Sequence, residues 1–294
     1  MDVSNGILTS KMAEEKILLF SQEEFKKSGN VFINKLQEAA RRGFFYLEIP
    51  ENCKELIPFA TEFANRFYRE ESIINREQIR YTGYHNKEGT QKESLFVEDS
   101  EWKKNWFSDE IVRLATHMQT LAVSVLQKIL AAVEIPEEQW EMATGGAISG
   151  GGMHHFTFNH YRPEKDEPGL NPHRDYGLLT LLFIEKGGLE AEIDGAWVPI
   201  SPKKDYFVIN ISRALEAFVN NKEKMNAVWH QVIKVKEDRI SFGLFSDPRL
   251  DSPIYKREPD ESITTIYTKY KEFADMCFKE GYPGNTIRFK EEEI

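Results

Sequence analysis

The pattern of hydrophobic and polar positions changes near the middle of the chain. In the first half, apolar residues recur every three or four positions, most regularly between Ile111 and Val133, which is the spacing of one face of an α-helix. From Met153 to Asp247 the period becomes two, and short apolar runs are separated by Gly, Pro, Asn and Asp. The first pattern predicts helices, and the second predicts the strands of a β-barrel or a double-sheet jelly roll.

Shorter signals complete the first half of the chain. Further helices are predicted at a capping box over 21–24, from 31 to 43, where Gly43 is placed to end the helix, and over 53–68. The aromatic and β-branched run over 44–49 predicts a strand. Residues 73–107 show too little periodicity for a helix or strand, so we expect a long loop there.

The end of the chain predicts one more helix. Apolar residues at helical spacing over 263–277 indicate a closing helix that ends near Gly281. No repeat or linker divides the chain, so we expect one compact unit. Residues 1–145 are predicted to be a helical region that packs on the core, and residues 146–294 to be the jelly roll with its C-terminal helix.

Composition and charge limit the partners of this protein. The chain has 294 residues, with 38 basic and 48 acidic side chains and a formal net charge of −10. Its basic runs are short and interleaved with acids, so we expect no nucleic-acid partner. No apolar run approaches the roughly 18 residues of a membrane span, and the first 20 residues lack a secretory apolar segment. We therefore expect a cytoplasmic monomer that acts on a small molecule.

Two histidines and an aspartate form the clearest candidate site. His173 and Asp175 are two positions apart, so on a strand their side chains would point to the same face. His230 lies in the run 228–233, which predicts a different strand of the same barrel. Two neutral imidazoles and one carboxylate leave coordination positions open, which is the ligand set of a non-haem Fe(II) centre that activates oxygen.

The same residue types also allow other interpretations. Seven histidines are present, and three of them could build a zinc site for a hydrolase. Each histidine could also have an ordinary role in the core or on the surface. Arg239 and Ser241 favour iron, because this second pair at a spacing of two would hold a carboxylate with a planar guanidinium beside a hydroxyl. A hydrolase does not need such a site.

Several motifs follow one another in a fixed order between Asn159 and Pro248. They are Asn159-His160-Tyr161, Pro172-His173-Arg174-Asp175, Gly187-Gly188-Leu189, Asp194-Gly195-Ala196-Trp197, Val208-Ile209-Asn210-Ile211, His230 and Arg239-Ile240-Ser241. In this order they resemble the isopenicillin-N-synthase-like branch of the Fe(II)/2-oxoglutarate-dependent dioxygenases. The N-terminal half is similar more weakly, mainly through the Gly-Phe-Phe sequence that follows the predicted helix over 31–43.

This resemblance implies a fold, a metal and a co-substrate. The fold is mainly β with α: a distorted double-stranded β-helix, or jelly roll, with a helical N-terminal half and a C-terminal helix. Fe(II) would be bound by His173, Asp175 and His230, with no catalytic residue beyond these ligands. The co-substrate 2-oxoglutarate would chelate the iron through its keto-acid end, and four residues would contact the rest of it: Arg239, Ser241, Tyr161 and Asn159.

The resemblance also implies an activity. An enzyme of this kind uses O2 and 2-oxoglutarate to oxidise a small metabolite, often in secondary metabolism, by hydroxylation, desaturation or oxidative cyclisation, and it releases succinate and CO2. Asp175 disfavours halogenation, because related halogenases have a small residue in place of that carboxylate. Two alternatives remain: an iron oxidase of the same fold that needs no 2-oxoglutarate and holds its substrate's own carboxylate on Arg239 and Ser241, and a non-catalytic ligand-binding barrel protein.

Strand alternation extends the candidate site toward a substrate. If Asn159 and Tyr161 face inward, then Thr157 and His155 do so as well, and Phe245 shares the face of Arg239 and Ser241. We therefore predict that Phe245, His155 and Thr157 contact the substrate. By similarity to related enzymes, the segment over 73–107 would help to cover the pocket, and its candidates are Arg80, Tyr81, Tyr84 and Phe96.

Overall fold

The structure, a computed structural model, describes residues 17–69 and 82–281. Its α-helices are α1 (Gln22–Phe25), α2 (Asn30–Arg42), α3 (Glu51–Lys54), α4 (Ile57–Phe67), α5 (Asp109–Ala132), α6 (Trp140–Thr144), α7 (Arg213–Val219) and α8 (Tyr270–Gly281). Short 3₁₀ turns occupy Asp99–Glu101, Glu137–Gln139 and Ala147–Ser149, and a π-helical turn occupies Trp102–Trp106. Within these ranges, no helix combines the length and the apolar character that crossing a bilayer requires.

The strands of the described ranges are grouped in three sheets. They are β1 (Leu18–Phe20), β2 (Phe44–Glu48), β3 (Gly83–Asn86), β4 (Lys92–Glu98), β5 (Met153–Tyr161), β6 (Leu170–His173), β7 (Leu179–Ile184), β8 (Leu189–Ile193), β9 (Ala196–Pro199), β10 (Tyr206–Ile211), β11 (His230–Val232), β12 (Arg239–Asp247), β13 (Ile254–Arg257) and β14 (Ile263–Tyr267). Eight of them form the main sheet in the order β1-β2-β10-β7-β12-β5-β4-β3, and four form a second sheet in the order β6-β11-β8-β9. The strands β13 and β14 form a separate hairpin.

Two groups of buried apolar side chains hold these layers together. The larger group joins the main sheet to the helices, and α5 lies at its centre with buried residues along its length. The smaller group fills the space between the two sheets, with Phe44 and Val208 from one sheet and Leu170, Ala191 and Val232 from the other. The architecture confirms the predicted mainly β fold with a jelly-roll core and helices on both sides of it in sequence.

Several local predictions are confirmed because each depends on a single physical cause. Ser21 accepts from the backbone N–H of Glu24, whose side chain accepts from the backbone N–H of Ser21, so the capping box exists. Gly43 ends α2 in the left-handed conformation, with a φ of 75°. The helix predicted over 53–68 is divided into α3 and α4, which are separated by a turn at Glu55 and Leu56.

The segment over 73–107 is not a long loop where the structure describes it. Residues 82–107 contain β3 and β4, and β4 pairs with β5 along the main sheet. The sequence does not reveal β4 because Lys92 and Ser94 are polar on the face that lines the site, while Glu93 is a buried polar residue of the other face. Tyr84 and Phe96 therefore lie on strands, and Arg80 and Tyr81 lie outside the described residues.

Two further predictions about the ends of the chain differ from the structure. Ile263, Ile266 and Tyr267 belong to β14 and not to the closing helix, which begins only at Tyr270. Ile263 and Tyr267 are four positions apart, which is also the spacing of residues on one face of a helix. The sequence pattern of this strand therefore resembles that of a helix. In the region over 1–145, predicted to be helical with a strand over 44–49, the described residues form four strands; the division at residue 145 remains a prediction.

The end of α2 offers a test of this backbone geometry. A Cβ at position 43 would clash with the carbonyl oxygen of Asn226, and the left-handed φ disfavours any side chain there. We expect Gly43→Ala to lower the free energy of unfolding by about 3 kcal/mol, from strain and clash together. Gly29→Ala, at the other end of α2, adds a Cβ with no atom within 4 Å and should cost less than about 1 kcal/mol. Equal costs for the two variants in urea unfolding would contradict this interpretation.

Candidate active site

The two histidines of the candidate site lie on neighbouring strands of the second sheet. His173 is the last residue of β6, His230 is the first residue of β11, and the antiparallel register places them opposite each other. Their ring centroids are 4.2 Å apart. The Nδ1 of His173 lies 2.9 Å from the carbonyl oxygen of Asn171, which selects the tautomer with its lone pair on Nε2, the atom that would bind a metal.

Asp175 completes the cluster from just beyond the strand. The sequence predicts His173 and Asp175 on one strand, but β6 ends at His173, and the chain turns so that Asp175 faces both imidazoles. Its Oδ1 lies 3.7 Å from the Nε2 of His173 and 3.6 Å from the Nε2 of His230. One ligand atom from each residue lies within 4.8 Å of the others, close enough to surround a single ion.

The second carboxylate oxygen of Asp175 is held by two donors. Thr180 Oγ1 donates to Asp175 Oδ2 at 2.8 Å, and Asn210 Nδ2 donates to the same oxygen at 2.6 Å. These two donors are themselves a cross-strand pair of β7 and β10. They leave Oδ1 turned toward the imidazoles, which is how outer hydrogen bonds orient a carboxylate ligand.

The protonation states suit a divalent metal. Burial, and then the neighbouring His230, hold the pKa of His173 well below its ordinary value, so its imidazole is neutral at neutral pH. Burial alone would raise the pKa of Asp175, but His230, His173 and Thr180 together hold that pKa well below its ordinary value. The cluster therefore offers a neutral imidazole and a carboxylate without any deprotonation cost at neutral pH.

Arg239 lies at the inner end of the same cavity. Its side chain is 1% exposed, its Nε donates to the carbonyl oxygen of Gly187 at 2.8 Å, and its guanidinium carbon lies 4.6 Å from the centroid of the Tyr161 ring. Its Nη2 is buried and has no hydrogen-bond partner among the residues that the structure describes. A buried guanidinium donor without an acceptor is costly, and a carboxylate in the cavity would satisfy it.

The other predicted 2-oxoglutarate contacts surround this guanidinium. Arg239 lies opposite Tyr161 and Ser241 lies opposite Asn159 on β12 and β5, so all four share the inner face. The Nη1 of Arg239 lies 3.5 Å from the Oγ of Ser241, and the Oδ1 of Asn159 accepts from Ser94 Oγ at 3.0 Å. All four line one cavity with the metal cluster, so the structure brings every predicted metal and co-substrate residue to one place.

Only one of the three predicted substrate contacts lines the cavity. Phe245 lines the cavity, whereas His155 and Thr157 are buried and do not line it. The ring of His155 stacks on that of Phe245, with centroids 4.8 Å apart and planes at 8°. His155 and Thr157 are therefore placed behind the cavity wall, and their contact with a substrate remains a prediction.

A buried acid stands beside His155. Asp247 Oδ2 lies 3.4 Å from His155 Nδ1, without the geometry of a hydrogen bond. Burial raises the pKa of Asp247 to about 8, from an ordinary value of 3.8. The folded protein thus holds this proton more tightly than the unfolded chain, so the contribution of Asp247 to stability falls as the pH rises from about 4 to about 8.

Asp247→Asn tests this assignment, since asparagine resembles the protonated acid and does not ionise. We expect the variant to gain stability relative to the original protein as the pH rises, on the order of a few kcal/mol between pH 5 and pH 8. Urea unfolding of both proteins at the two pH values measures this change. A difference in unfolding free energy that is the same at pH 5 and pH 8 would show that Asp247 is already ionised in the folded state.

Three site residues are absent from the sequence predictions. Thr180 and Asn210 hold Asp175, and Lys92 lines the cavity. The sequence does contain a signal for Thr180 and Asn210. Each is a single polar residue in an otherwise apolar run, at a position that the strand alternation places on the inner face. Lys92 has no such signal, since the strand that carries it was not predicted.

The fold and the cluster together define a class of protein. A jelly roll that carries two histidines and one carboxylate on a cavity, with a buried arginine behind them, is the arrangement of a non-haem iron oxygenase. The family model of the 2OG-Fe(II) oxygenase superfamily matches residues 153–248, which contain the metal cluster and Arg239. The similarity of this part of the chain is to that superfamily, in its isopenicillin-N-synthase-like branch, whose members use Fe(II), 2-oxoglutarate and O2.

Individual relatives agree with this assignment. The chain is 31% identical over 153 residues to the oxoglutarate-dependent flavonoid 7-O-demethylase 1 of Ocimum basilicum, a match that covers 50% of this chain and 40% of the relative. It is 25% identical to the 1-aminocyclopropane-1-carboxylate oxidase of Musa acuminata, across 93% of this chain and 97% of that protein. The crystal structure of JOX2 with 2OG, Fe and JA has the same fold, with a TM-score of 0.74 and 20% identity, covering 89% of this chain and 84% of that one.

Coverage differs among the curated relatives. Three of the similar proteins, including the demethylase, match this chain over 40%, 38% and 50% of their own length. The family model matches within the jelly-roll half, and the activity of the whole chain is argued from its own residues.

Proposed function

We propose that this chain is an Fe(II)- and 2-oxoglutarate-dependent oxygenase that oxidises a small metabolite and releases succinate and CO2. The observation that carries the proposal is the placement of two different sites on one cavity. A three-residue metal cluster and a buried arginine with an unsatisfied donor face the same space. A metal site alone would fit many proteins, and the arginine is what a keto-diacid requires.

Each residue has a definite role in this proposal. His173, Asp175 and His230 bind Fe(II), which when bound supplies the chemistry that couples oxygen reduction to decarboxylation of 2-oxoglutarate and oxidation of the substrate. Arg239 and Ser241 bind the distal carboxylate and so fix the direction in which 2-oxoglutarate enters. Burial of the guanidinium excludes water and strengthens this interaction.

The similar proteins support a small organic substrate. They include a flavonoid demethylase, a 1-aminocyclopropane-1-carboxylate oxidase and a structure with JA, which is consistent with a role in secondary metabolism. We further propose that the protein is a cytoplasmic monomer without a nucleic-acid partner, in agreement with its net charge of −10.

Co-substrate turnover tests the proposed function. The purified protein, supplied with Fe(II), ascorbate, O2 and 2-oxoglutarate, is expected to form succinate slowly without substrate and faster with a suitable metabolite. Omission of Fe(II) should abolish the reaction. Oxygen uptake that requires a metabolite but proceeds equally well without 2-oxoglutarate would favour the alternative oxidase, in which Arg239 and Ser241 hold the substrate itself. No succinate and no oxygen uptake with any metabolite would favour a non-catalytic barrel protein.

A further inference from the structure

Lys92 is a charged residue of the cavity to which the proposed function gives no role. It lies on β4 opposite Tyr161 of β5, which in turn lies opposite Arg239 of β12. These three residues therefore form a row across three adjacent strands, and all three line the cavity. The ammonium group of Lys92 leans along β4 toward Phe96, whose ring centroid lies 6.0 Å from its Nζ.

No acidic side chain neutralises this ammonium group. Among residues 17–69 and 82–281, no carboxylate forms an ion pair with Lys92 Nζ within 4.0 Å, and the acid whose charge acts on it is Asp175, a proposed metal ligand. The adjacent Glu93 does not serve, because it points to the opposite face, where it contacts His160, Arg162 and Tyr84. The two neighbouring residues therefore differ: Glu93 has three polar partners, whereas the ammonium group of Lys92 lies over the ring of Phe96.

Among the charged side chains that line the cavity, Lys92 is the one without a counter-charge in the proposed complex. The charged side chains that line it are Lys92, Asp175 and Arg239. In the proposed complex, the metal is matched by Asp175 and by the keto-acid carboxylate of 2-oxoglutarate, and Arg239 is matched by the distal carboxylate. One cation then remains, on a side chain that is partly buried in the cavity. A negatively charged group on the substrate would match it.

A row of aromatic rings indicates where the rest of the substrate would lie. Phe245 lines the cavity and lies opposite Thr180, one of the two donors to Asp175, so its ring is beside the metal cluster. From Phe245 the row continues to His155 and then to Phe96, with centroid separations of 4.8 and 5.5 Å. Of these three rings, Phe245 lines the cavity, while His155 and Phe96 do not line it and extend the row toward the ammonium group of Lys92.

We propose that Lys92 binds the carboxylate of the substrate, and that this substrate is a small monocarboxylic acid whose apolar or aromatic body lies against the ring of Phe245. The inference rests on the proposed function, because the charge count assumes that Fe(II) and 2-oxoglutarate are bound. It makes Lys92 a residue that determines substrate specificity and leaves 2-oxoglutarate to Arg239.

Calorimetric titration with matched acids and amides tests this assignment without any measurement of activity. The anaerobic complex of the protein with Fe(II) and 2-oxoglutarate is titrated with phenylacetate, indole-3-acetate, benzoate and hexanoate, and with the amide of each. Three variants are compared with the original protein: Lys92→Met, which keeps the stem and removes the charge; Lys92→Arg, which keeps a cation; and Lys236→Met, a control at an exposed lysine outside the cavity.

At least one acid of the panel is expected to bind the original protein about tenfold or more tightly than its amide, which is the size of a hydrogen bond to a charged group. Lys92→Met should reduce this preference to about twofold or less, while Lys92→Arg and Lys236→Met should retain it. The dissociation constant of 2-oxoglutarate should change by less than about threefold in all three variants.

Three outcomes would overturn the assignment. If no acid of the panel is preferred over its amide, the substrate is not a carboxylic acid of this kind. If the preference persists in Lys92→Met, another group binds the carboxylate. If Lys92→Met instead weakens 2-oxoglutarate by tenfold or more, Lys92 belongs to the co-substrate site. The titration with 2-oxoglutarate comes first, and its failure in the original protein would reject the proposed function and the inference with it.

Discussion

His230→Ala is expected to abolish binding of Fe(II) at any useful concentration. The imidazole supplies one of three metal ligands, and it is buried between His173 and Phe44, so no neighbouring side chain can take its place. Loss of groups that merely support a ligand weakens metal affinity by roughly 10- to 100-fold, and removal of the ligand itself should exceed about 100-fold. Anaerobic competition with a chromophoric chelator measures the dissociation constant of Fe(II).

A second histidine provides the control for this result. His117 lies on α5, away from the cavity, so His117→Ala should leave the dissociation constant of Fe(II) within about twofold. Circular dichroism and urea unfolding of both variants establish that each one is folded. An affinity for Fe(II) that is unchanged in folded His230→Ala would remove this residue from the proposed metal site.

Arg239→Met is expected to weaken 2-oxoglutarate by about 100-fold or more while Fe(II) still binds. Methionine keeps the buried aliphatic volume but removes the guanidinium, whose Nη2 has no other partner in the cavity. The loss of one member of a buried charge pair costs about 2 to 5 kcal/mol, which corresponds to a factor between about 30 and several thousand. Anaerobic titration of the Fe(II)-loaded variant with 2-oxoglutarate gives the dissociation constant.

Ser241→Ala serves as a graded comparison for this variant. A neutral hydroxyl contributes less than a charged donor, so we expect its loss to weaken 2-oxoglutarate by about tenfold. The order of the effects therefore matters as much as their size. A larger effect of Ser241→Ala than of Arg239→Met, or normal affinity in Arg239→Met, would mean that the distal carboxylate binds elsewhere.

Elements governed by local chemistry could be predicted from the sequence. The capping box at Ser21, the glycine that ends α2 and the long α5 each follow from neighbouring residues alone. The strands β3 and β4 could not be predicted in this way. The outward face of β4 carries a buried polar cluster around Glu93 and its inward face carries polar site residues, so the hydrophobic alternation that marks a strand is absent.

More of the candidate site than of the surrounding fold could be predicted from the sequence. A spacing of two places Arg239 and Ser241 on one face whichever strand they occupy, and the register of β12 with β5 then brings Tyr161 beside them. The same reasoning correctly predicts that His173 and Asp175 lie close together, but the cause is different. Asp175 lies beyond the end of β6 and is brought to His173 by a turn of the chain, not by a shared strand face. The contacts of Thr180 and Asn210 with Asp175 depend on how β7 and β10 pair, which no local spacing encodes.

The central claim is that one cavity binds Fe(II) through His173, Asp175 and His230 and binds 2-oxoglutarate beside it. The most direct measurement is the visible spectrum of the anaerobic Fe(II)-loaded protein during titration with 2-oxoglutarate. We expect a metal-to-ligand charge-transfer band that saturates at one equivalent per chain, is absent in His230→Ala and requires far more 2-oxoglutarate in Arg239→Met. A folded protein that binds Fe(II) but develops no band at any concentration of 2-oxoglutarate would contradict the claim.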